Sequence, residues 1–153
     1  MNRQDADILN HLQRDATLSH QALAERTGMS AATVWRRVQA LEKAGIIEKR
    51  VALVDPPKAG LTTTVLTAVR LVSHGAENRA AFERLVATVP EILECYSVSG
   101  GHDYTLLVRV RDISAYEHFL MNGLLAHAEV ASAETSFVLR QIKYETALPV
   151  EVD

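Results

Sequence analysis

The chain has 153 residues, 48% of them hydrophobic, which suffices for one ordinary domain or two small ones with separate cores. Its single cysteine, Cys95, excludes an intrachain disulfide and a cysteine-based zinc finger, and no run approaches the roughly eighteen apolar residues of a membrane helix. The formal net charge of −3 divides unevenly, residues 1–50 carrying +2 and the remaining 103 carrying −5, so the acidic total does not exclude nucleic acid.

The polar start MNRQDAD is no signal peptide, and the expectation is a soluble cytoplasmic protein. From Asp5 to Gln13 an amphipathic segment places Ile8, Leu9 and Leu12 on one face. Residues 20–44, HQALAERTGMSAATVWRRVQALEKA, then read as a helix, a three-residue turn and a second helix. Ala24 is small where a partner helix must approach, and Gly28 suits the left-handed exit from the first helix. Ser30 can cap the second helix through a backbone N–H. Val34, Val38 and Leu41 give that helix one buried stripe, which leaves Ala32, Arg36, Ala40 and Lys43 on the opposite face. This is the layout of a DNA-reading helix-turn-helix.

Two amphipathic helices joined by a glycine turn also occur in proteins with no DNA role. The preceding segment, which supplies a third helix, and the basic balance of residues 1–50 favour DNA. The side chains placed to reach it are Ser30, Thr33, Trp35, Arg36, Arg37 and Gln39. Arg36 points most directly away from the stripe and is expected in the groove. Arg37 lies nearer the buried edge, to bond a phosphate or to brace the domain. Packing on the first helix is the expected role of the Trp35 indole.

Gly45 closes the second helix, residues 46–54 read as a strand, and Asp55-Pro56-Pro57-Lys58-Ala59-Gly60 as a connector. This divides the chain into a reading domain over 1–50, a linker strand and connector over 51–60, and a second domain over 61–153. In the latter the pattern predicts a strand at Leu61–Val72, a helix at Glu77–Thr88 ended by Pro90, and strands at Ile92–Ser99 and Tyr104–Val110. A helix at Asp112–His127, a long strand at Val130–Tyr144 and a tail containing Pro149 follow. The order β-α-β-β-α-β is the ferredoxin-like arrangement, so the fold class is α+β. One sheet face would stay uncovered, and with Tyr104, Leu106, Val108, Val110 and further apolar strand residues available it reads as too apolar for water. A two-fold dimer is the expected remedy.

Several stretches together resemble the Lrp/AsnC family of bacterial transcription regulators. In the first domain they are Asp5-x-x-Ile8-Leu9-x-x-Leu12, Leu23-Ala24, Gly28-Met29-Ser30, Arg37-Val38 and Leu41-Glu42-x-x-Gly45-Ile46-Ile47. In the second they are Glu94-Cys95, Val98-Ser99-Gly100, Asp103-Tyr104 and Ser114-Ala115-Tyr116. The resemblance implies a DNA-binding regulator, a homodimer through the C-terminal domain, larger assemblies such as octamers, and an amino-acid-like effector. It also implies that the loop Ser99–Tyr104 and Thr135 on the last strand line an effector site between dimers. The sequence departs from the family at Ala133, where a threonine is common, and at Gly101-His102, which replaces an acidic-aromatic pair.

The loop's own chemistry admits two readings. Gly100 and Gly101 can present backbone N–H groups to a carboxylate, with Asp103 taking an ammonium, His102 beside them and Thr135 adding a hydroxyl. The same residues also suit a plain hairpin turn. The opposing class is a small ferredoxin-like enzyme, for Ser99, His102 and Asp103 are triad residue types. Triad partners, however, normally converge from separate elements, and the six histidines show no ligand spacing. No catalysis, metal or cofactor is expected. A ligand-sensing assembly protein without DNA binding would leave the Arg36/Arg37 face unexplained.

Overall fold

The computed structural model describes residues 1–151. The chain forms two compact units: residues 1–53 together with the chain from Ile142 onward, and residues 54–141. The sequence division instead placed everything after residue 61 in one domain.

The first unit is built on α1 (Arg3–Leu12), α2 (His20–Thr27) and α3 (Ala31–Lys43). Each has a side-chain N-cap: Asn2, Ser19 and Ser30 accept from the N–H groups of Asp5, Ala22 and Thr33. Gly28, at φ +67°, takes the left-handed position that ends α2 and sets the sharp turn into α3. Ile8, Leu12, Leu23, Val34, Val38 and Leu41 form the core, and Ala24, 6% exposed, lets the helices close on one another.

Val150 also packs on that core, a contact the sequence pattern did not suggest. The Gln13 side-chain amide clasps the backbone at Leu148, donating to its carbonyl at 3.2 Å and accepting from its N–H at 2.6 Å. The predicted strand over 46–54 is absent. Val51 and Leu53 are 59% and 64% exposed and meet no neighbouring strand, and β-branched composition alone makes no ladder.

The second unit contains β1 (Thr63–Leu71), α4 (Ala76–Thr88), β2 (Ile92–Ser97), β3 (Tyr104–Val110), α5 (Ile113–His118) and β4 (Val130–Phe137). The strands form one antiparallel sheet in the order β2-β3-β1-β4, as the ferredoxin-like arrangement requires. Strand ends are set by partners. β4 stops at Phe137, well short of the predicted Tyr144, because its register reaches the start of β1: Phe137 faces Val65, and Val138 N–H bonds the Thr64 carbonyl. β2 ends at Ser97 where the hairpin closes through Val98 N–H on the Asp103 carbonyl.

The last helix also differs from its prediction. α5 gives way after one and a half turns to a π-helical segment, Phe119–Leu124, with the Leu125 N–H on the Leu120 carbonyl. In an α-helix, residues five apart diverge by about 140°. The wider winding instead lets both Phe119 and Leu124 face the core, at 5% and 1% exposure.

Register also corrects the reading of the open sheet face. Val65, Val69, Leu71, Tyr104, Leu106, Val108 and Val110 all belong to the core, with Cys95 packed against it. The alternate positions hold Leu66 opposite Leu107, and around them Ala68, Thr105 and Tyr96 with Arg70, Arg109, Glu94 and Glu134. That face is therefore mixed rather than broadly apolar. Leu93 lies at a register irregularity and Leu139 beyond the strand, 98% exposed.

Burial and the bond from its hydroxyl to Glu83 Oε1 (2.8 Å) push the Tyr104 phenol up to about 12. The folded state therefore keeps a proton that the unfolded chain releases near pH 10. The stability this gives is complete below pH 10 and is lost as pH rises toward 12. Tyr104→Phe should flatten that part of the alkaline unfolding profile, measured by circular dichroism between pH 9 and 12; an unchanged profile would contradict it.

Candidate functional site

The outward face of α3 follows from its inward one. With Val34 and Val38 at 0% exposure, Arg36 lies on the far side, exposed and without a hydrogen-bond or ion-pair partner among the described residues. Trp35 is 54% exposed, so its indole does not take the packing role expected of it. Ser30 and Thr33 share a 2.8 Å hydroxyl bond at the helix start, and Gln39 donates to Glu42 at 3.0 Å.

Arg37 differs from its neighbour. Its guanidinium turns back to α1, pairing with Asp5 at 2.9 Å, meeting Gln4 and reaching Asn2 at 3.5 Å. Its Nε is buried without a hydrogen-bond partner. Of the two roles raised for this residue, the geometry corresponds to bracing the domain.

In the loop, Gly100 adopts φ +131°, a conformation costly to other residues. The N–H groups of Gly100 and Gly101 have no partner among the described residues and remain available as donors. Arg70 donates to the Gly101 carbonyl, and His102 Nε2 lies 2.9 Å from the Thr105 hydroxyl.

Asp103 is already engaged. One carboxylate oxygen accepts from Leu71 N–H at 2.8 Å, where β1 breaks register, and the other lies 3.0 Å from His74 Nδ1. Each bond closes the end of the sheet, leaving the carboxylate less free for an ammonium than the sequence suggested. His102 and Asp103 thus have separate partners and form no relay with Ser99. Asp103→Ala should lower stability by about 1–2 kcal/mol with no ligand present, because the Leu71 N–H loses a charged acceptor. Urea denaturation showing wild-type stability would remove this structural role.

Thr135 lies on the helix-facing side of β4, an edge strand, paired in register with Thr67. Its hydroxyl is 2.7 Å from the Tyr116 hydroxyl, which is itself 2.9 Å from the Thr67 hydroxyl. The Gly101 carbonyl is held by Arg70, a side chain of the opposite sheet face. Within one chain, then, Thr135 and the loop present themselves on different sides of the sheet. Sequence reading missed Thr67, His74 and Arg70; only the period-two alternation of β1, which places Thr67 on the core face, hinted at the first.

Residues 64–148 match the family model of the Lrp/AsnC ligand binding domain, and residues 1–48 match a model of winged helix-turn-helix DNA-binding domains. The chain belongs to the Lrp/AsnC family of transcriptional regulators. Among curated Lrp/AsnC relatives, it is 38% identical over 150 residues to the DNA-binding transcriptional activator DecR of Escherichia coli, covering 96% of this chain and 97% of that protein. It is 37% identical to the glutamate uptake regulatory protein of Zymomonas mobilis, over 95% of this chain and 88% of that one. A transcriptional regulator from Neisseria meningitidis, solved as an L-Met complex, superposes with a TM-score of 0.93 at 34% identity, covering 97% and 96% of the two chains. An AsnC family regulator from Agrobacterium tumefaciens gives 0.92 at 42% identity, with 97% of each chain covered. Like these proteins, the chain is a DNA-binding transcriptional regulator with a ligand-binding domain.

Proposed function

We propose that this Lrp/AsnC protein reads double-stranded DNA through the outward face of α3, with Arg36 as the base-contacting group. Trp35, Thr33, Ser30 and Gln39 flank it along the groove and backbone. The observation that carries the reading is Arg36 itself, an exposed guanidinium at the centre of that face with no partner among the described residues, beside an arginine whose charge is spent on α1. An always-charged planar fork suits a guanine edge or a phosphate. The protein acts as a regulator in the cytoplasm and carries out no reaction of its own.

The ligand-binding domain takes an amino acid or a related small carboxylate. Supporting this are the free Gly100 and Gly101 N–H donors, the Thr135 hydroxyl, and the L-Met held by the Neisseria relative. The working unit is a homodimer that assembles further, to an octamer, so that the loop of one dimer and Thr135 of another share a site. Exposed Leu66, Tyr96, Val51, Leu53 and Val54 are the apolar groups such contacts would cover.

Selection from a random duplex pool tests the DNA reading. The enriched sites should hold two half-sites separated by one helical turn or a multiple of it, as a two-fold protein requires. A pool with no enrichment refutes sequence-specific reading, and enrichment of isolated half-sites refutes the dimer on DNA. Sedimentation at micromolar concentration should show a dimer or a multiple of it; a folded monomer is the contrary result. A thermal-shift screen of the twenty amino acids should raise the melting temperature for at least one, since a ligand that binds only the folded state stabilises it.

A further inference from the structure

We propose that Tyr116 is a positioning residue for effector recognition, holding the Thr135 hydroxyl as a hydrogen-bond donor directed at a carboxylate. The inference rests on the reading of Thr135 as part of the effector site.

Three hydroxyls form a line from the core to the sheet edge. Thr67 is 0% exposed, Tyr116 is 3% exposed, and Thr135 is half-buried on edge strand β4. The separations are 2.9 Å and 2.7 Å, and either atom of each pair can donate on distance alone. Proton counting chooses between the two directions. Tyr116 has one proton and can give it to one neighbour only.

If Tyr116 donated to Thr67, the Thr67 proton would sit in the core with no acceptor among the described residues, a costly orphan. If Thr67 donates to Tyr116 and Tyr116 to Thr135, every buried O–H has an acceptor. Phenols also donate more readily than aliphatic alcohols, which favours the same direction. Thr135 then receives at its oxygen, and its own proton is left to point away from the core. A chain of hydroxyls polarised one way strengthens that last donor.

Two ring contacts fix the phenol, a tilted one with Phe119 at 5.8 Å between centroids and an edge-on one with Phe137 at 5.4 Å. The aromatic body of Tyr116 therefore belongs to the core whatever its hydroxyl does. The hydroxyl has a separate role, to set which way Thr135 faces. With the Gly100 and Gly101 N–H groups also donors without a partner among the described residues, and the Asp103 carboxylate occupied, these loop and strand groups suit an anion. The chemical class recognised is a carboxylate, and the ligand's amino group contributes less to affinity through these residues.

Tyr116→Phe in the full-length protein is the test. It keeps the ring and removes the relay. Calorimetric titration first screens wild type against the twenty amino acids, then compares each binder with its carboxamide. Wild type should prefer the carboxylate. Tyr116→Phe should bind the amino acid about three- to tenfold more weakly, with carboxamide binding little changed, so that the preference narrows. Thr67→Val, which removes the donor that polarises the phenol, should shift the preference the same way by less. DNA affinity should not move in either variant.

Equal amino-acid affinity and equal preference in wild type and both variants would overturn the positioning role while leaving an amino-acid effector intact. If wild type binds none of the twenty, the effector reading and this inference fall together.

Discussion

Arg36→Ala should weaken binding to a selected duplex by about 1–3 kcal/mol, the usual worth of a bidentate base contact. The substitution leaves the fold alone, because the side chain is exposed and makes no bond to the described residues. The loss should be largest for the preferred site and small for unrelated DNA, since a base contact carries sequence information and a phosphate contact does not. Arg37→Ala makes the contrast. It removes the ion pair with Asp5 at 2.9 Å, so its main effect should be on the melting of the helical unit. Fluorescence anisotropy with matched and scrambled duplexes decides the matter. Full affinity in Arg36→Ala, or an equal loss on both duplexes, would take Arg36 out of the base-contacting role.

The largest stability effect is expected at Phe82. This side chain is 0% exposed, lies on α4 beneath the sheet, and packs with its ring tilted, 4.7 Å between centroids, on Tyr104, the first residue of β3. Phe82→Ala should destabilise the ligand-binding unit by about 3–5 kcal/mol, combining lost transfer energy with the cavity left behind. Residues 1–53 keep their own core, built on Ile8, Leu23, Val34 and Val38. Hydrogen exchange should therefore show lost protection in β1, β3 and β4 with protection in α1–α3 retained. Uniform loss across both units would mean that the two cores fold as one.

Much of this protein was determined by sequence alone, for reasons that are local. The cap Ser30, the glycine at 28 and the apolar stripe of α3 each act within one or two turns, so their spacing placed the reading helices and pointed Arg36 outward. Strand β3, alternating from Tyr104 to Val110, has the boundaries its pattern implied. What the sequence could not decide involves partners distant along the chain. Residues 46–54 have strand composition and no strand beside them, β4 ends where β1 begins, and Val150 joins a core whose buried residues all precede Glu42. Hydrogen-bond competition settled the loop in the same way. Asp103 looked free for an ammonium until Leu71 and His74 were brought against it, and Arg37 had two open roles, phosphate or brace, until Asp5 came within 2.9 Å. The Thr67–Tyr116–Thr135 line belongs to tertiary structure altogether, since it joins two strands and a helix whose side chains meet only when the sheet register is fixed.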